Sequence, residues 1–311
     1  MALGIACVLT RSADVSAQTT LTTLKLGVVP ALVSVQAYLA QDFGIFKKHG
    51  LDVQFVPMTA GVNTISALLG GSLDMAFGDA VAVSSANVHN VPLKFVAPGI
   101  IDTLQVPALA LIAKAGSPYH NARDFNGKTI GVNAIRSMST VMISAWVDGN
   151  GGDAKSLHFV ELAFPQIGPA IIAGTVDTGL VPEPFLTSDI DAGMRALPFE
   201  KGAVHDYMVS GWIATPAWLA SNPDTAAKFI AAVQEATDYA NRRPIPADVV
   251  DVLTKYTKIP SQAIVGMKYP NLFGFTMTDR QVQPVVDATA KYGVIEKAFP
   301  AADIVYHPKA R

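Results

Sequence analysis

Three segments of this chain recur at one spacing. LGVVPA at 26–31 is similar to IGVNAI at 130–135, QFVP at 54–57 to HFVE at 158–161, and ALLGGSLDMAFGD at 67–79 to AIIAGTVDTGLVP at 170–182, with offsets of 104, 104 and 103 residues. A shift held over three segments constrains the fold more than any local propensity, because it requires one supersecondary unit to be built twice. Two similar α/β lobes are expected.

Inside each lobe the pattern alternates strand and helix. Strands are expected at 24–29, 52–57, 74–78 and 93–97 in the first lobe, with helices at 34–42 and 62–69. The second helix carries Val62, Ile65, Leu68 and Leu69 on one face and is stopped by Gly70-Gly71. In the second lobe strands are expected at 128–132, 157–162 and 177–181, with helices near 139–148 and 167–173, the latter closed by Gly174. Strands separated by helices pair in parallel through right-handed crossovers, which makes each lobe a small doubly wound sheet.

The last third has no repeat partner. Asn222 as N-cap and Pro223 at the first helical position open a long amphipathic helix, and further helices are expected near 246–257, 261–268 and 278–292. This tail is expected to pack back on the first lobe. The chain then passes between lobes twice, around 106–118 and 208–216, giving lobe 1 as 18–109 with 212–311 and lobe 2 as 110–211. Two such crossovers make a hinge that lets lobes close on something between them.

Composition removes several function classes. With 23 basic and 25 acidic residues in 311, a net charge of −2, there is no basic field to hold nucleic acid. The single cysteine, Cys7, lies in the apolar stretch ALGIACVL, and Val15-Ser16-Ala17 fits the small-residue rule for signal-peptide cleavage. Residues 1–17 are therefore read as a leader whose missing basic region marks a truncated start, and the mature chain as exported, soluble and free of cysteine. A lipoprotein reading of Cys7 is weaker, since Gly4 stands where an aliphatic residue is wanted. His49, His89, His120, His158, His205 and His307 show no paired ligand spacing, so no metal is expected. ARDFNGKT at 122–129 misses the phosphate-loop pattern, because Ala122 replaces its first glycine and Lys128 begins a strand.

In open α/β sheets ligands bind beyond the carboxyl ends of strands, at helix entrances. The entrance NAIRSMST, Asn133 to Thr140, follows a strand and combines free helix N–H groups with Ser137, Ser139, Thr140 and the guanidinium of Arg136. It is read as an anion site, against the plainer reading of one capping hydroxyl and a solvated arginine. Ser34, Thr59, Gly61 and Asn63 hold equivalent positions in the first lobe, where capping explains any one of them equally well. Asp79 follows Gly78 at a strand end and either receives a ligand donor, pairs with Arg136, or shapes a turn. Glu183, between Pro182 and Pro184 and beside Phe185, is assigned to the hinge or the cleft floor. Trp212, at the return crossover, is expected to stack on the ligand, and Trp146 to be core. Leu32, Val35, Ile135, Met138 and Phe164 are the apolar loop members, suiting an organic body on the anionic group.

The stretch from Leu24 to Asp79 resembles the periplasmic binding proteins of the nitrate, sulfonate and taurine transport family, which also includes binders of thiamine-precursor pyrimidines. The resemblance rests on Gly44, Phe46, Gly50, Leu51 and Val53, then Ala67, Leu68, Gly71 and Asp74, with SPYHNARDFNGKTIGV and VPEPF as further similar segments. It implies a two-lobe periplasmic-binding-protein-like fold of type II and a receptor for an ABC importer, located in the periplasm, monomeric, and docking on a permease with its ATPase. It also implies a sulfonate or carboxylate as ligand, because sulfonate binders carry a Gly-Asp matching Gly78-Asp79 and small polar residues matching Ser137 and Ser139. Nitrate is too small for the lining, and a neutral pyrimidine is the alternative. No cofactor and no catalysis are expected, since the pyrimidine-forming yeast relatives use a cysteine-rich motif absent here. An enzyme or a sensing module on the same fold is the rival.

Overall fold

The computed structural model describes residues 20–58, 62–103, 108–197, 207–268 and 270–308. The expected leader with Cys7, the candidate residues Thr59 and Gly61, and part of the first crossover lie outside them, as does the side chain of Asn63.

The chain begins with β1 (Thr22–Val28), α1 (Val35–Asp42), α2 (Ile45–Lys48), β2 (Leu51–Pro57), α3 (Val62–Leu69), β3 (Met75–Asp79), α4 (Ala80–Val88), β4 (Lys94–Pro98) and β5 (Ile100–Asp102). It continues with β6 (Ala110–Lys114), β7 (Thr129–Val132), α5 (Met138–Gly149), β8 (His158–Glu161), α6 (Phe164–Ala173), β9 (Thr178–Val181), α7 (Phe185–Asp191) and β10 (Met194–Ala196). The last third holds β11 (Tyr207–Met208), β12 (Ser210–Ala214), α8 (Pro216–Ser221), α9 (Pro223–Ala240), α10 (Ala247–Thr257), α11 (Ser261–Val265), β13 (Leu272–Phe273) and α12 (Asp279–Lys291).

The repeated segments become equivalent strands. β1 pairs in parallel with β2 and β3, and β7 pairs in parallel with β8 and β9. Each trio is a right-handed β-α-β-α-β unit with its carboxyl ends on one edge. The sheets are not wholly parallel, however. β12 enters the first sheet between β3 and β4, antiparallel to both, giving the order β2-β1-β3-β12-β4. β6 and β10 join the second sheet antiparallel, in the order β10-β6-β9-β7-β8. The expected crossovers are therefore sheet strands, and the segment at 93–97 is not a neighbour of β3. A chain passing from one sheet to the other arrives at the opposite end of its strands, so it can only add antiparallel. Gly211 makes the insertion possible: a Cβ there would come within 2.6 Å of the Ala97 carbonyl oxygen. A short sheet, β11-β5-β13, sits where the chain crosses.

A buried polar knot fastens the first sheet to its helices. Gln36, fully buried on α1, donates to Thr237 Oγ1 of α9 at 2.8 Å and to the Pro98 carbonyl at 3.2 Å, and accepts from Trp212 Nε1 at 3.1 Å. Every one of these groups would otherwise be desolvated without a partner. The second sheet has its own cluster, in which Ile112, Ile167, Ile171 and Val181 pack together. Trp146 is core as expected, edge-on to Phe125 with ring centroids 5.1 Å apart.

The residues carrying the family resemblance are structural. Gly44 and Gly71 adopt φ of +70°, which only glycine takes without strain. Asp74 accepts from the backbone of Lys25 at 2.7 Å and from Trp218 Nε1 at 2.8 Å, tying β1 to α8. The tail does more than cover the first sheet. Lys268 donates its backbone N–H to Glu183, its ammonium pairs with Asp191 at 2.7 Å, and Tyr292 donates to Asp148 at 3.0 Å. It thus touches residues of both repeats.

Candidate ligand cavity

A cavity of about 820 Å³ opens between loops of both repeats and the tail. The first repeat supplies Val29–Val33 after β1 and Phe77, Gly78 and Asp79 at the end of β3. The second supplies Phe164 at the start of α6 and Pro182–Phe185 after β9, while the tail closes the wall with Thr257–Pro260, Ala263 and Asn271. Strand carboxyl ends thus meet there, as expected for open α/β sheets. The tail's share carried no signal in the sequence, because its residues follow no strand.

Of the candidate residues, Asp79, Phe164, Glu183 and the apolar Leu32 line the cavity. Phe164 stacks against Phe185 with centroids 6.1 Å apart, forming an aromatic wall. Asp79 caps α4, its Oδ1 accepting from the Ala82 N–H at 2.9 Å. Burial pushes its carboxyl above the usual range, against the pull of the backbone N–H groups of Ala82 and Val81. Glu183 is buried and accepts from the Thr187 N–H and hydroxyl at 3.0 and 2.8 Å, and from the Lys268 N–H at 3.1 Å. It is a joint between the second repeat and the tail as well as cavity wall.

The other candidates are placed elsewhere. Ser34 is fully buried and accepts from the Val29 N–H at 3.1 Å, which shapes the loop after β1. Val35 is buried beside a smaller void of about 30 Å³. Trp212 is fully buried between Phe77 and Phe229 and held by Gln36, so no face is free for stacking.

The entrance of α5 satisfies itself. Ser137 Oγ donates to the Ala134 carbonyl at 2.6 Å and its N–H donates to Thr140 Oγ1 at 3.0 Å, while Ser139 donates to Asn133 Oδ1 at 2.7 Å. Met138 is buried and Ile135 exposed. Arg136, at φ +58°, sends its guanidinium to the Val294 carbonyl at 2.9 Å, and neither it nor its neighbours from Asn133 to Thr140 line the cavity. The tail claims the arginine because the loop before α12's successor segment offers an unpaired carbonyl within reach.

Cations are scarce at the wall. Its one lysine, Lys258, donates its ammonium to the Lys255 carbonyl at 2.8 Å, and no arginine lines it. Among the described residues no group of three or more His, Cys, Asp and Glu could hold a metal, and no helix is long and apolar enough to cross a membrane.

Residues 33–247 match the family described as NMT1/THI5 like. The chain is 25% identical over 224 residues to a 4-amino-5-hydroxymethyl-2-methylpyrimidine phosphate synthase of Aspergillus parasiticus, covering 68% of this chain and 64% of that protein. It is 25% identical over 148 residues to a formylaminopyrimidine-binding protein of Halalkalibacterium halodurans, covering 48% and 43%. It therefore spans less than two thirds of either relative. Among solved structures it is similar to the periplasmic aliphatic sulphonate binding protein of Escherichia coli, with a TM-score of 0.76, 16% identity and 92% of both chains covered. The nitrate-binding protein of Synechocystis PCC 6803 follows at 0.72 and 13%, over 92% of this chain and 86% of that one. At such identities these structures show the two-lobe periplasmic-binding-protein fold alone.

Proposed function

Since the chain belongs to the NMT1/THI5-like family, we propose that it is the solute receptor of an ABC importer, holding a flat heteroaromatic amine between its lobes. One observation carries the reading: the cavity wall is apolar and aromatic, its carboxyls are those of Asp79 and Glu183, and its single ammonium is spent on a carbonyl. Such a wall accepts hydrogen bonds and stacks rings, whereas a sulfonate or carboxylate buried there would lack a counter-charge. The names of the two relatives, which concern aminopyrimidine chemistry, point the same way. The organic anion expected from the entrance of α5 is placed second, because Arg136 and the hydroxyls beside it are engaged elsewhere.

In this reading residues 18–109 with 212–311 form one lobe and 110–211 the other. A ligand touching Phe77 and Asp79 on one side and Phe164 and Phe185 on the other favours the closed form, since only closure makes both sets of contacts. The closed receptor then docks, as a monomer in the periplasm, on a permease with its ATPase. Binding without catalysis is proposed because no nucleophile and base are paired at the wall.

A thermal-shift panel tests this. 4-Aminopyrimidine is expected to raise the melting temperature, by the equivalent of about 2.7 kcal/mol at a hundred times its Kd. Ethanesulfonate, benzoate and nitrate are expected to leave it unchanged. The largest shift with a sulfonate would sink the reading and restore the anion.

A further inference from the structure

We propose that Asn271 is the residue that reads the edge of the ligand's ring, selecting an amino group that stands next to a ring nitrogen. The inference rests on the receptor reading above. Asn271 lines the large cavity and is 8% exposed, yet its Oδ1 has no hydrogen-bond partner. A buried amide left unpaired by the protein is rare and calls for a partner from outside.

The fold does not need that amide. The backbone around it is held by other groups. The Asn271 carbonyl accepts from Arg243 Nη2 at 2.8 Å, and the next residue but one, Phe273, is clamped on both sides by Asn241, whose Oδ1 accepts its N–H at 2.9 Å and whose Nδ2 donates to its carbonyl at 2.8 Å. β13 then pairs with β5 in the crossover sheet through Leu272 and Ile101. Asn271 is thus mounted on a fixed backbone with a side chain that serves nothing nearby.

A carboxamide offers one acceptor and two donors in a plane. That pattern complements an amine adjacent to a ring nitrogen, the same bidentate match by which asparagine reads adenine. Rotation about the terminal torsion exchanges oxygen and nitrogen at no cost in shape, so the amide can present either order to the ring. Asp79, across the wall, takes a remaining donor. The ligand class is then narrower than a heteroaromatic amine: it carries an amidine edge.

Two isomeric probes test the idea by titration calorimetry. 4-Aminopyrimidine has the amine beside a ring nitrogen and 5-aminopyrimidine does not. Wild type is expected to favour the 4-amino isomer about tenfold or more, and Asn271→Leu and Asn271→Ala to bring the two within about threefold, since a site built to pair a polar edge rejects the analogue lacking it. The ligand-free variants are expected to melt no lower than wild type, because no native hydrogen bond to Oδ1 is lost. If the preference survives in both variants, or wild type binds the isomers equally, the role of Asn271 is overturned while the receptor reading stands. Variants that fail to fold would show a structural amide and also overturn it. Failure of both isomers to bind wild type overturns the receptor reading itself.

Discussion

Replacement of Asp79 separates ligand recognition from local stability, because its carboxyl serves both. Oδ1 caps α4 through Ala82, and the same group faces the cavity. Asn keeps the acceptor and caps a helix about as well, so Asp79→Asn is expected to preserve α4. It also removes the cost of holding a charge in a desolvated place, which is what raises the carboxyl's pKa. The ligand-free variant is therefore expected to melt at or above the wild-type temperature at pH 7. Asp79→Ala loses the cap, about 1 kcal/mol, offset in part by the same relief. Toward 4-aminopyrimidine both variants lose a charge-assisted hydrogen bond of about 1.5–3 kcal/mol, which is about 10- to 100-fold in Kd. Calorimetry of binding and thermal unfolding of the ligand-free protein read the two effects separately. An unchanged Kd in both variants, together with a lower melting temperature for Asp79→Ala, would refute the reasoning and leave Asp79 as a helix cap.

Arg136→Ala removes a bond to the Val294 carbonyl from an exposed side chain, so urea unfolding is expected to report a loss of about 1 kcal/mol or less, with 4-aminopyrimidine affinity within about threefold of wild type. Gln36→Leu strips the buried Trp212 Nε1 of its acceptor and is expected to cost about 1–3 kcal/mol in the same assay; an unchanged midpoint would show the knot to be idle. Burial pushes the Asp189 carboxyl up to about 6, and its Oδ2 is enclosed without a partner. Between the ordinary 3.8 and about 6 the folded state holds a proton that the unfolded state has released, so this group's contribution falls as pH rises through that window and is level above it. Asp189→Asn is expected to flatten that part of the stability profile and to stabilise the protein at pH 7, as read by thermal unfolding across pH 4–8.

Elements with a local cause were legible in the sequence. Thr278 and Gln281 form a reciprocal cap at the start of α12, as the expected helix at 278–292 required. Pro223 opens α9 at the first helical position, though Asn222 turns its side chain back to the Trp218 carbonyl instead of capping. The helices α4, α7 and α8 were missed: AVAVSSANV is apolar on several faces and shows no stripe, and the other two are too short to show a period. At the cavity, Asp79, Phe164 and Glu183 were legible because they follow strands whose carboxyl ends converge. Phe77 and Asn271 were not, since one lies inside a strand and the other in the tail. The entrance of α5 misled for a physical reason: hydroxyls at a helix start satisfy one another as readily as they receive a guest, and sequence does not show which.

The sequence by itself determined the duplication, the parallel β-α-β-α-β core of each half and the direction in which its helix entrances face. All of these follow from periodicity, caps and glycines acting over a few residues, and from a spacing that repeats them. Tertiary structure alone decided that β12 lies between β3 and β4, that Trp212 is sealed in the core, that Arg136 serves the tail, and that residues 257–271 complete the cavity. Those outcomes depend on which groups remain unpaired once distant segments meet, and a buried donor or acceptor takes whichever partner the packed chain brings within about 3 Å.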